Sequence, residues 1–233
     1  MIFRQLFDKE SSTYTYLLGC PETRLALLID PVKEHVERDL AVVKELDLKL
    51  ALVLETHVHA DHVTGAGELR ARTGARTRAS ASGAACIDEP LQPGERIPLG
   101  SLVITTLATP GHTDDSLSFL VGDRVFTGDA LMIRSAGRTD FQNGDAGQLY
   151  DSITQTLFAL PDETWVYPAH DYRGHTASTI GEEKRWNPRL VGKQRDEFIA
   201  LMGSLNLPKP KLIDIAVPAN RACGDLTKEQ HGV

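Results

Sequence analysis

Three imidazoles and one carboxylate fall within seven residues, Thr56-His57-Val58-His59-Ala60-Asp61-His62. Imidazole nitrogen and carboxylate oxygen are donors suited to zinc, iron and manganese. Three more groups of the same kind follow at wide spacing: His112, Asp129 and His170. Buried without partners, such a set carries a heavy desolvation cost, which a bound cation would offset. The chemistry on offer is therefore metal-assisted. Two forms of it suit these donors: oxygen chemistry at a redox-active ion, or hydrolysis by a metal-activated water.

The elements around these residues read as devices for delivering them. Leu50 to Leu54 is an apolar run bounded by polar residues, the pattern of a buried strand. Residues two apart on an extended chain point the same way, so His57 and His59 can aim at one point. A helix beginning near Ala60 would hold Asp61 and His62 in its first turn, and Gly65 to Arg72 fits a helix entered through small residues. The pattern recurs. A strand over Leu102 to Thr109 leads into Pro110-Gly111-His112-Thr113. Val125-Phe126-Thr127 delivers Gly128-Asp129-Ala130, and Glu163 to Pro168 delivers Ala169-His170-Asp171-Tyr172. Gly111 and Gly128 allow tight turns beside the donors. The remaining histidines, His35, His175 and His231, fall on a helix, a loop and a tail and are expected to be exposed.

Elsewhere, strands over 13–18 and 25–30 form a hairpin around Gly19-Cys20-Pro21-Glu22. Val36, Leu40, Val43 and Leu46 repeat at helical spacing. A strand over Arg76 to Ser80 precedes a short helix from Gly83 to Cys86. Strands over 116–121 and 125–127 flank a tight turn, and 149–160 is an amphipathic helix. Residues 184–205 read as helical with a break at Pro188, and Leu207-Pro208-Lys209-Pro210 as extended. Two halves of similar strand and helix content predict two sheets face to face with helices outside, an α+β four-layer αβ/βα sandwich. The expected organisation is one domain over 1–233, with a short C-terminal cap from about 181.

Bulk properties narrow the partners. A length of 233 residues suits one domain, and a net charge of -7 argues against a nucleic-acid partner. No run approaches the roughly 18 apolar residues of a membrane span. Met1 to Asp8 lacks the apolar core of a signal peptide, which places the chain in the cytoplasm as an expectation. Cys20, Cys86 and Cys223 are scattered, without zinc-knuckle spacing or a disulfide framework. Cys20 and Cys86 read as buried free thiols. Cys223, in the polar stretch Ala219 to Gly224, stays open.

The His-x-His-x-Asp-His run of residues 57–62, followed by His112, Asp129 and His170, resembles the signature of the metallo-β-lactamase fold superfamily. The resemblance implies an αβ/βα sandwich with a metal site at the shared edge of two sheets. Further stretches resemble its persulfide (sulfur) dioxygenase branch. These are Thr56 to Gly65, Thr109 to Thr113, Phe126 to Arg134, Gly137 to Gln142, Tyr167 to Tyr172, Asn206 to Pro210 and Val217 to Asn220. That branch implies one Fe(II) per chain held by His57, His112 and Asp129, a two-histidine, one-carboxylate triad with open positions for oxygen chemistry. His59, Asp61, His62 and His170 would then orient ligands and water. The implied substrates are glutathione persulfide and dioxygen, the products sulfite and glutathione, and the implied assembly a homodimer.

Glutathione carries two carboxylates while this chain is acidic, so a local cationic patch is required. Arg138 is the first candidate, with Arg134, Arg173 and Lys209 behind it, because guanidinium binds carboxylate bidentately. Tyr172 could line the pocket, and Asp171 could pair with an arginine. The alternative is a hydroxyacylglutathione hydrolase, with two zinc ions roughly 3.5–4 Å apart sharing Asp129 and activating a hydroxide. Against it stands the expectation that a hydrolase's longer helical C-terminal domain does not fit in the remaining chain. A non-catalytic metal-dependent module is a third reading, which the complete donor set disfavours.

Overall fold

Runs of β-branched, leucine and aromatic residues separated by short turns fold as strands throughout the computed structural model, which describes residues 1–224. In chain order the elements are β1 (Ile2–Phe7), β2 (Tyr14–Gly19), β3 (Leu25–Ile29), α1 (Val36–Glu45), β4 (Lys49–Leu54), α2 (Ala66–Thr73) and β5 (Arg76–Ser80). Then come β6 (Glu89–Leu91), β7 (Arg96–Leu99), β8 (Leu102–Ala108), β9 (Leu117–Val121), β10 (Arg124–Gly128), β11 (Leu131–Met132) and β12 (Ser135–Ala136). The last are α3 (Ala146–Asp151), β13 (Trp165–Pro168), β14 (Ser178–Thr179), α4 (Ile180–Trp186), α5 (Arg195–Gly203) and α6 (Ile213–Arg221). Two compact units result. Of the described residues, one comprises 1–92, 97–103 and 209–224; the other comprises 93–96 and 104–208.

In the first unit the strands lie in the order β1-β2-β3-β4-β5-β6. The pairs β1–β2 and β2–β3 are antiparallel, and β3 through β6 run parallel. Leu28 lies opposite Val53 and Ile29 opposite Leu54, so β3 and β4 end side by side, each followed by a carboxylate, Asp30 and Glu55. Val36 and Val43 of α1 and Ala66 and Leu69 of α2 pack on Leu17, Leu28, Leu50 and Val53 of the sheet. Full burial of such side chains stabilises by about 1.5–3 kcal/mol each. Helix α6 also belongs to this unit.

In the second unit β14, β13, β10, β9 and β8 lie in that order. The β10–β13 pair is parallel and β9–β10 and β8–β9 are antiparallel. Val125 and Val166 face each other across the parallel pair and join Leu131, Leu149, Ile153 and Phe198 in one apolar cluster. After Asp151 the α3 segment continues to Leu157 in the wider π register. Each unit is therefore a mixed sheet with helices packed on it.

The β2–β3 hairpin, the helix after Pro31 and the break near Pro188 match expectation, and 184–205 is resolved into parts of α4 and α5. No helix starts at Ala60. Residues 57–65 form a loop whose backbone groups find partners outside it, and α2 starts only at Ala66. Gly83 to Cys86 is a turn rather than a helix. Cys86 is not a free thiol: it is bonded to Cys223, across 137 residues of sequence, while Cys20 is free and buried as expected. Among the described residues no helix is long and apolar enough to cross a membrane. His231 lies outside the described residues.

Candidate metal centre

The first unit holds the 57–62 loop from below by its two parallel strand ends. Asp30 accepts from the Thr56 amide at 2.7 Å and from Thr56 Oγ1 at 2.8 Å. Thr56 Oγ1 also lies 2.9 Å from His57 Nδ1. The hydroxyl's single proton goes to Asp30, so His57 Nδ1 is the donor in that second contact. The His57 lone pair is thereby placed on Nε2, the atom that can ligate a metal.

His59 is buried with its Nε2 3.2 Å from Asp30 Oδ1 and 3.6 Å from Glu55 Oε2. Burial alone would lower its pKa, but Asp30, Asp61 and Glu55 outweigh it and raise the imidazole to about 9. Burial, reinforced by the charge of Asp30, pushes Glu55 up to about 8. This cluster calls for positive charge at His59, whether proton or metal. The His62 Nδ1 lies 2.9 Å from Asp61 Oδ2 and 3.2 Å from Thr13 Oγ1. The rings of His57 and His59 are 4.1 Å apart, and those of His59 and His62 4.4 Å, so the three imidazoles converge.

The same loop is secured by α6. Asn220 Nδ2 donates to the carbonyls of His59 (2.9 Å) and His62 (2.8 Å), and Asn220 Oδ1 accepts from the Thr64 amide (2.8 Å). Those three bonds explain why the loop is not a helix: its backbone is satisfied laterally.

The second unit presents His112, Asp129 and His170 at the ends of β8, β10 and β13. Gly111 has a φ of +134°, and a β-carbon there would lie 2.2 Å from the Leu149 amide nitrogen, so only glycine fits before His112. His112 Nδ1 donates to the Arg138 carbonyl at 2.6 Å, which leaves the ligating lone pair on Nε2. That Nε2 lies 3.7 Å from Asp129 Oδ2. The distance is too long for a hydrogen bond and suits two donors flanking one ion at about 2.0–2.2 Å each. Asp129 Oδ1 accepts from His170 Nδ1 at 2.7 Å. The parallel β10–β13 pairing, continued by the Ala169 amide on the Gly128 carbonyl, sets these two side by side. The donor chemistry thus fits a metal ion.

The expected substrate cations are placed as follows. Arg138 forms a bidentate pair with Asp140 (2.7 Å for both bonds), donates to the carbonyls of Pro208 and Leu207, and lies over Phe141. Arg134 is clamped by Glu182, Glu183 and Ser178 and stacks on Trp186. Lys209 pairs with Asp214. Arg173 is exposed on the loop after β13, beside the exposed Tyr172, whose ring lies parallel to His170 at 6.1 Å. Among the described residues Asp171 is paired with His175 rather than with an arginine side chain, and its Oδ1 accepts from the amides of Arg173 and His175 and caps their turn.

Residues 9–85 and 87–170 match the family model described as the metallo-beta-lactamase superfamily. The mitochondrial persulfide dioxygenase ETHE1 of Homo sapiens is 48% identical over 227 residues, 96% of this chain and 89% of that one. The crystal structure of ETHE1 from Myxococcus xanthus superposes with a TM-score of 0.96 at 64% identity, covering 97% of this chain and 100% of that one. Glyoxylase B2 of Dictyostelium discoideum stands further off, 29% identical over 97% of this chain and 92% of its own length.

Proposed function

Since the chain belongs to the metallo-beta-lactamase superfamily, and within it to the persulfide dioxygenases, we propose that it oxidises glutathione persulfide at a single iron(II). The overall change takes one persulfide, one dioxygen and one water to glutathione, sulfite and two protons. His57, His112 and Asp129 are assigned as the ligands. The observation that carries this reading is the His112–Asp129 pair, whose ligating atoms stand 3.7 Å apart while their other polar atoms are tied to Arg138 and His170.

Iron(II) in such a triad supplies open coordination positions and electrons for dioxygen, which side chains lack. The chain's own residues do the positioning. Thr56, under Asp30, fixes the His57 tautomer; the Arg138 carbonyl fixes that of His112; His170 selects which Asp129 oxygen faces the site. His59, Asp61 and His62 supply a charged, hydrogen-bonding wall for water and protons. Arg173 and Tyr172, on one exposed loop, receive the glutathione carboxylates, while Arg138 and Arg134 are engaged by carboxylates of their own unit.

A dinuclear zinc thioester hydrolase is the second reading, favoured by the further donors at His59, Asp61, His62 and His170. Metal analysis with oxygen uptake separates the two. One iron per chain and equal amounts of oxygen consumed and sulfite formed, lost in His57→Ala and Asp129→Ala, are expected. Two zinc ions with thioester hydrolysis and no oxygen uptake would replace this reading by the other.

A further inference from the structure

Helix α6 is a weak element doing an exacting task. It has nine residues, contains Pro218, and lacks a side-chain cap at its start. A helix that short is marginal by itself, and an internal proline removes one of its bonds. Yet it carries Asn220, which satisfies three backbone groups of the histidine loop. Beyond it Cys223 has a φ of 56° and Gly224 a φ of 86°, left-handed geometry that strains a residue with a β-carbon. The Cys223 carbonyl accepts from the Gly67 amide at 2.9 Å, and the Gly224 carbonyl from Lys33 at 2.5 Å. The covalent tie that keeps this assembly in place is the bond from Cys223 to Cys86.

We propose that the Cys86–Cys223 disulfide is an exchange site for low-molecular-weight thiols, and that opening it loosens the histidine loop by freeing Asn220. Cys223 is buried and Cys86 is partly exposed, so attack falls on the Cys86 sulfur. A thiolate bonds to Cys86 Sγ, the disulfide breaks, and its electron pair leaves on Cys223 Sγ, which takes a proton. A second thiolate attacks the small molecule's sulfur in this mixed disulfide, forming the small-molecule disulfide and returning the pair to Cys86. Two thiols are oxidised and one protein disulfide is reduced. A thiol is also the product of the proposed reaction, a connection that rests on that reading; the exchange site itself does not.

Hydrogen exchange on the full-length, metal-loaded protein tests this, with millimolar reduced glutathione as the probe and alkylation reporting both thiols. When the bond opens, the Thr64 and Gly67 amides should exchange about tenfold faster, and this gain should be insensitive to low urea, the mark of local opening. Cys86→Ser should show the same gain without thiol. Asn220→Ala should quicken Thr64 and remove its further response to thiol. Cysteines that stay unlabelled, amides that do not change, or a gain that rises with urea in step with global unfolding would each overturn the proposal. None of these readouts depends on oxygen uptake, so this proposal and the dioxygenase reading fail separately.

Discussion

His170 donates from Nδ1 to Asp129 Oδ1 across 2.7 Å, and the two residues sit at the ends of strands that run parallel as neighbours. One carboxylate oxygen is thus spoken for, and the other is turned toward His112 Nε2 at 3.7 Å. A hydrogen bond of this kind keeps the carboxylate ionised and fixes its rotamer. His170→Ala should therefore weaken metal binding by about 10–100-fold without unfolding the chain. Competition against a chelator measures it directly.

Gly137 is a second control on the same pair. A β-carbon there would lie 2.3 Å from the Asp129 carbonyl oxygen and 2.8 Å from His112 Cγ. Gly137→Ala should cost about 1–3 kcal/mol, the range for overpacking a filled site. It should also lower metal content by displacing His112. The urea midpoint and metal analysis of the same sample report both effects.

Two arginines should separate cleanly. Removing Arg134 strands Glu183, which is fully buried, so Arg134→Ala should cost about 3–5 kcal/mol of stability with little change in KM. Arg173→Ala should leave stability unchanged and raise KM for glutathione persulfide about tenfold, the worth of one charge-assisted hydrogen bond. Denaturation curves and steady-state kinetics on both variants check the division.

Acid should expose the role of Asp8. Burial would raise its carboxyl, but the Ser11 hydroxyl and amide, His35 and the Glu10 amide outweigh it and hold it at about 2, below the usual 3.8. A depressed folded-state pKa means stability that is fully present above about pH 4 and lost as pH falls through 2. The amount is about 2–2.5 kcal/mol. In Asp8→Ala, stability between pH 4 and pH 2 should fall less steeply than in the parent chain.

The donors were legible because their chemistry and their strand-end positions are both local properties. His57 follows β4, His112 follows β8, Asp129 follows β10 and His170 follows β13, each after an apolar run. What holds them was not legible. Asp30 reads as a turn residue at the end of a strand, and only the parallel register with β4 brings it under Thr56, 26 residues later. The expected helix at Ala60 failed because its backbone bonds are taken by Asn220, a residue no local pattern connects to it. Pro218 concealed α6, and β1 carried too little contrast between its faces to stand out. The Cys86–Cys223 bond spans too much sequence for spacing to suggest it.

Synthesis runs from one end of the chain to the other, and the histidine loop is made early. Its bonds to Asn220 cross 156 to 161 residues. At about 5–20 residues per second, the loop waits on the order of ten seconds for that partner to be translated. Through that interval the nascent chain carries three imidazoles and a carboxylate whose lateral support does not yet exist. Native closure of the loop is therefore timed by the arrival of α6 rather than by the loop's own emergence from the ribosome.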